Sequence, residues 1–203
     1  MFRTWLKDLP SGVTERDFLE RTDELQKQYL PSIRLLPGVA ELVTHISHTP
    51  NVHLAIASSS SSASFSLKTK HLSKFMSSFP PGNIILGDDP RLPAGTAKPA
   101  PEIYHLALQT VNRSLEKATL QRDSPIQSRE CLVFEDSVSG VQAGLAAGMR
   151  VLWCPHIELY DQYYAARPFA GAERVTLVRS LEEFEPEELD DFHSGRWLDA
   201  IGR

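Results

Sequence analysis

The chain has two cysteines, Cys131 and Cys154, in 203 residues. Two cysteines without a CxxC spacing exclude a disulfide framework and a zinc cluster, and they read as reduced core thiols of a cytosolic protein. There is also no run of one charge. The 21 Lys and Arg stand against 26 Asp and Glu, for a net charge of −5, which argues against nucleic acid and against a membrane surface while leaving room for a local basic pocket. No apolar stretch approaches a membrane span, the N-terminus lacks the basic-then-apolar layout of a signal peptide, and no internal repeat is evident. With 41% hydrophobic residues, the length suits one full core and a small appendage.

What is present is organised around Cys131 to Met149, CLVFEDSVSGVQAGLAAGM. Cys131 to Phe134 has the apolar character of a strand buried on both faces. Glu135 and Asp136 follow without a spacer. Ser137 and Ser139 are helix-start residues, and a helical pattern runs from them to a C-cap at Gly148. Gly140, Gly144 and Gly148 form one stripe on that helix. Each interior glycine costs about 1 kcal/mol relative to alanine, so the stripe implies that the sheet packs very close. The acidic pair then sits at a strand's carboxyl end, where ligands gather in open α/β sheets. Read alone, it is equally a solvated turn.

Residues 1–34 are helical in pattern, with Thr14 before Asp17 as a capping-box-like start and Pro31 as the stop. Val39, Leu42, Val43 and Ile46 mark the next helix, and residues 52–57 a buried strand. The run Ser58 to Ser62 leaves that strand and enters an amphipathic stretch, so it is not a linker; its hydroxyls and free N–H groups suit a phosphate. Asn83 to Leu86 reads as a strand, and Asp88-Asp89-Pro90 as a turn rather than a metal pair. Lys98, held between a Gly turn and two prolines, is aimed rather than loose. Pro101 opens a helix whose apolar face includes Ile103, Tyr104 and Leu108. Residues 112–130 read as a polar loop with a ragged helix end, 150–154 as a strand, 160–170 as irregular, 175–178 as a last strand and 181–189 as an acidic helix. Alternating strands and helices imply parallel β/α units.

Ser58-Ser59, Lys98 and Glu135-Asp136 thus follow successive strands: a hydroxyl and amide cradle, a fixed cation, and a carboxylate pair suited to magnesium. Phosphoryl chemistry on a monoester needs such a set, because its demands are positioning and charge neutralisation. The segments LAIAS ending at Ser58, AKPAPEIY around Lys98 and VFEDSVSGVQAGLAAGM resemble the second, third and fourth motifs of the haloacid dehalogenase superfamily, in its branch with a small helical cap. The resemblance runs in order through most of residues 1–190. It implies an α/β fold with a Rossmann-like parallel sheet, and phosphate binding by Ser58, Ser59 and Lys98, with Ser58 and Lys98 also in the catalytic set. It further implies Mg2+ on Glu135 and Asp136, and a small phosphorylated metabolite, a sugar or nucleoside phosphate, as partner.

The Asp-x-Asp-Gly motif that supplies the superfamily's nucleophile and acid/base does not occur in this sequence. The resemblance then makes 1–34 a partial helical cap and 35–203 a core lacking its central first strand. It also implies a missing N-terminal segment. The expectation is a phosphatase by family that does not turn over as written. Alternatives are a non-catalytic phosphate-binding or interaction module and a phosphoglucomutase-like transfer. The strands at 52–57 and 131–135 should face each other across an open groove, because the glycine stripe tolerates little movement of its helix.

Overall fold

The computed structural model describes residues 13–118 and 124–184. Expectations for 1–12 and 185–203, including the far end of the acidic helix, lie outside the described residues. Helix α1 spans Glu15–Tyr29. Thr14 starts it with the reciprocal cap read in the sequence: its hydroxyl accepts from the Asp17 amide, and the Asp17 carboxylate accepts from the Thr14 amide. Pro31 does not stop the chain abruptly but lies inside a short 3₁₀ turn, Leu30–Ser32. Helix α2 is Val39–His48, α3 is Ser62–Thr69 and α4 is Ser73–Met76.

Among the described residues five strands follow the β/α alternation: β1 Ile56–Ser58, β2 Ile84–Leu86, β3 Leu132–Glu135, β4 Arg150–Trp153 and β5 Val175–Leu177. All pairings are parallel, with Ile56 opposite Ile84, Leu132 opposite Arg150, and Val151 opposite Val175. Period-two alternation sends side chains to two separate cores. Val133, Val151 and Trp153 pack with α5 (Glu102–Lys117) and α6 (Val138–Ala146), whereas Leu132, Phe134 and Leu152 pack with Leu42 and Ile46 of α2.

Two readings of the sequence need correction. The helix end read as ragged after residue 111 is regular, since α5 continues to Lys117 before the chain leaves the helix; Leu115 keeps the inward face going while Arg113, Glu116 and Lys117 face water. Residues 157–166 are not irregular but form α7, Ile157–Ala166. Its aromatics fall at helical spacing: Tyr160 stacks on Tyr164 at 5.9 Å, and Tyr163 packs on Trp153 at 4.8 Å.

The sheet is split. β1 pairs only with β2, and β3 only with β4 among the described strands. Between β1 and β3 lies a groove of about 1200 Å³, with Leu42 and Ile46 of α2 on one face and Ala107 and Val111 of α5 on the other. Backbone alternation shows which groups face it. Cys131 and Glu135 accept from Arg150 and Cys154, and Ser60 accepts from Gly87, so the main chains of Leu132, Phe134 and Ala57 turn the opposite way, into the groove. The half-sheets have not closed on one another.

Candidate functional site

Strand β1 ends at Ser58 and delivers the serines directly into the groove. The Ser58 hydroxyl accepts from the Ser60 amide at 3.2 Å, folding the loop back on itself. Ser61 caps α3 by accepting from the Ser64 amide. Asp88 accepts from the Ser62 amide and hydroxyl at 2.8–3.0 Å, and Asp89 pairs with Arg91. The two aspartates therefore serve the turn and the helix start, as the sequence suggested. Ser59 remains exposed at the loop's tip.

Lys98 reaches into the same space. Its ammonium donates to the Ala57 carbonyl at 3.0 Å and to Glu135 Oε1. These contacts lie at the carboxyl ends of β1 and β3, so one lysine joins both half-sheets. The Lys98 and Glu135 side chains are 10% and 7% exposed, which makes this a buried pair with strict needs for partners.

Glu135 is fully engaged. Besides Lys98, Oε1 accepts from the Tyr104 hydroxyl at 2.5 Å, and Oε2 accepts from the Ser137 hydroxyl at 3.1 Å and its amide at 3.3 Å. Burial works against the charge of Glu135, but Lys98 and these hydrogen bonds outweigh it and hold the carboxyl below its ordinary range. Tyr104 is buried, and desolvation with the Glu135 charge pushes its phenol far up, so it stays a donor. Its ring also faces the Lys98 ammonium, 4.8 Å from the centroid. The sequence reading put Tyr104 on the apolar face of its helix and missed this function. A tyrosine where that face needs only a hydrocarbon was the available signal, because a buried phenol seeks a partner.

Asp136 is the open carboxylate. It is exposed to the groove, while Trp153 Nε1 anchors its backbone carbonyl at 3.1 Å. Partial desolvation and the neighbouring Glu135 charge raise its carboxyl. No group of three or more His, Cys, Asp or Glu side chains with metal-holding geometry occurs among the described residues. Magnesium needs only one or two carboxylates when a phosphate completes its shell, and Asp136 offers one such ligand. Glu135 has its oxygens committed elsewhere.

The glycine stripe separates into three roles. A Cβ at Gly140 would fall on the Glu135 carboxylate; one at Gly144 would meet a Val151 methyl at 2.8 Å. Gly148 follows α6 with φ +78°. The sheet contact expected from the sequence is thus made at Gly144, whereas Gly140 makes room for the site. Cys131, half-buried and pushed up to about 11 by burial, and Cys154, buried, are free thiols.

Parallel β/α units with a serine loop, a buried lysine and an acidic pair gathered at their strand ends are the frame of a class of phosphoryl-handling hydrolases. The haloacid dehalogenase-like hydrolase family model matches residues 2–148, and the chain belongs to this family. It is 32% identical over 186 residues to the Schizosaccharomyces pombe protein C4C5.01, covering 92% of this chain and 70% of that one. It is 33% identical over 177 residues to the probable pseudouridine-5'-phosphatase YKL033W-A of Saccharomyces cerevisiae, covering 87% of this chain and 70% of that one. Among solved structures, a family IA, variant 3 hydrolase from Entamoeba histolytica superposes with a TM-score of 0.65 at 21% identity, over 90% of this chain and 73% of that one. No helix of the described residues is long and apolar enough to cross a membrane.

Proposed function

We propose that the groove mouth binds a phosphomonoester of a small sugar or nucleoside, of the pseudouridine 5′-phosphate kind. In this reading the Ser58 hydroxyl, the Ser59 amide and Lys98 hold the phosphoryl group. The observation that carries it is the Lys98 ammonium, set between the ends of β1 and β3 beside the serine loop. An ammonium has three donor protons, and two are spent on Ala57 and Glu135, which leaves one for a ligand. Asp136 is the residue that would hold Mg2+, and Glu135 keeps Lys98 in place rather than serving as a free ligand. Bound there, the metal would supply charge neutralisation for phosphate oxygens.

Among the described residues, Glu135 and Asp136 are the carboxylates at this end of the groove. The first is locked by four hydrogen bonds, and the second is the carboxylate this reading assigns to the metal. With both carboxylates assigned to these other roles, the reading is of a chain that binds phosphate without hydrolysing it. Calorimetric titration with inorganic phosphate and with pseudouridine 5′-phosphate tests this, alongside a phosphate-release assay with magnesium. The expected result is binding that weakens at least about tenfold in Lys98→Met, the loss of one charge-assisted hydrogen bond, with no release. Turnover that disappears in Lys98→Met would overturn the non-catalytic part, and absence of binding would overturn the site.

A further inference from the structure

Lys98 is neutralised by Glu135. The other lysine lining the groove, Lys68, is not. It projects from the last turn of α3, is half-buried, and donates to the Ser60 hydroxyl at 2.8 Å. Among the described residues it enters no ion pair. Ser60 cannot yield to it, since its amide donates to Ser58 and its carbonyl accepts from Gly87 at 2.9 Å. The Lys68 ammonium is held at the third serine of the loop, two residues beyond Ser58, with two donor protons unspent. An anion that reaches this half-buried ammonium gains a charge-assisted hydrogen bond.

The neighbouring wall has the same polarity of hydrogen bonding. Gln26, from α1, accepts from the Ser64 hydroxyl through its Oε1 at 3.0 Å, which leaves the amide NH₂ as a donor at the groove. This end of the lining carries donors, while Glu135 and Asp136 sit across the mouth. We infer that Lys68, with Gln26 beside it, is a second anion subsite. The preferred ligand then carries a carboxylate or second phosphate in addition to the phosphoryl group held at Lys98. The inference rests on the phosphate reading of Ser58 and Lys98 and adds the class of ligand.

Two matched pairs test it: ribose 5-phosphate against ribose 1,5-bisphosphate, and glycerol 3-phosphate against 3-phosphoglycerate, each titrated at low salt. One extra charge-assisted hydrogen bond should make the doubly anionic member of at least one pair about tenfold tighter. In Lys68→Met that gap should shrink below about twofold while affinity for the singly anionic member stays within about twofold. Lys68→Arg should restore the gap, and Lys68→Gln provides a second neutral variant should the methionine form fail to fold. Equal binding within both pairs, a gap that survives in Lys68→Met, or an equal loss for both members of a pair overturns the subsite. Lys98→Met separates this from the parent reading. If it weakens all four ligands the phosphate site stands whatever Lys68 does, and if it weakens none the phosphate site itself fails.

Discussion

Replacing Gly140 with alanine should destabilise this chain more than any other single-methyl addition to the α6 stripe. The added carbon would fall on the Glu135 carboxylate, which cannot move aside without releasing Lys98, Tyr104 and Ser137. Breaking a buried pair costs about 3–5 kcal/mol, and alanine returns about 1 kcal/mol of helix propensity, for a net loss of about 2–4 kcal/mol. At Gly144 the new methyl meets a Val151 methyl at 2.8 Å and Val133 at 3.7 Å. Overpacking of that kind costs about 1–3 kcal/mol, so the same propensity gain leaves a net loss of about 0–2 kcal/mol. Urea unfolding followed by far-ultraviolet circular dichroism reads both from the midpoint shift. In a Glu135→Ala background, where the carboxylate is gone, Gly140→Ala should become neutral or stabilising. A Gly140→Ala chain no weaker than Gly144→Ala, or an effect unchanged in that background, would refute the reasoning.

Tyr104→Phe keeps the ring over Lys98 and removes only the hydroxyl; it should cost about 1–3 kcal/mol, the range for an acceptor left short of a partner, and less than Tyr104→Leu, in the same urea assay. The pH dependence has a definite sign: the carboxyl of Glu135 is lowered, so its contribution is complete above the ordinary glutamate value of 4.5 and is lost as pH falls through the lowered one. The stability gap between the parent and Glu135→Gln, measured by thermal melts across pH, should therefore be wide at neutral pH and close on the acid side; a gap that widens on acidification contradicts the assignment. Hydrogen exchange by NMR should find the amides of Ala57, Leu132 and Phe134, which face the groove, faster than that of Val133, which faces β4; uniform protection would mean that the half-sheets are paired.

Most of the layout was legible because a fully buried strand has few ways to be written. VHLAIA, NIIL, CLVF and RVLW are short apolar runs bounded by turn residues, and each became a strand within one or two residues except the first, whose ladder covers only Ile56–Ser58. That shortening has a physical cause: the partner strand β2 begins only at Ile84, opposite Ile56, after a 3₁₀ turn over Pro81–Asn83, so the residues before Ile56 have no strand to pair with. The misread helices were those whose sequence signal is weak. The tail of α5 offers a single inward leucine, and α7 is aromatic-rich around a surface where Arg179 lies over Tyr160. The gathering of Ser58, Lys98 and Glu135 along one groove was legible, because each follows the end of a strand. Site chemistry was not legible at Tyr104, Lys68 and Gln26, because those side chains are brought in by tertiary packing of α5, α3 and α1, and no local pattern marks them.

The same contacts serve the site and the fold. In an unbroken parallel sheet, neighbouring central strands are held by a ladder of main-chain hydrogen bonds, and a lysine at their carboxyl ends is free to act on a ligand. Here β1 and β3 share no ladder, and the polar link between their ends is Lys98, bonded to Ala57 on one side and Glu135 on the other. The pair bridges the two ends where an unbroken sheet would have rungs, and breaking it costs about 3–5 kcal/mol because a buried charge is left without its partner. Removing the lysine then has two consequences at once: the cradle loses its cation, and a carboxylate with 7% exposure is left facing an open groove. Loss of ligand binding in a Lys98 variant is evidence for the phosphate site only if the variant still unfolds cooperatively. A ligand that brings its own anion to the Lys98 ammonium also draws on a charge already shared with Glu135. The charge on Lys68 is not shared in this way, which is why the proposed second subsite is tested at Lys68 rather than at Lys98.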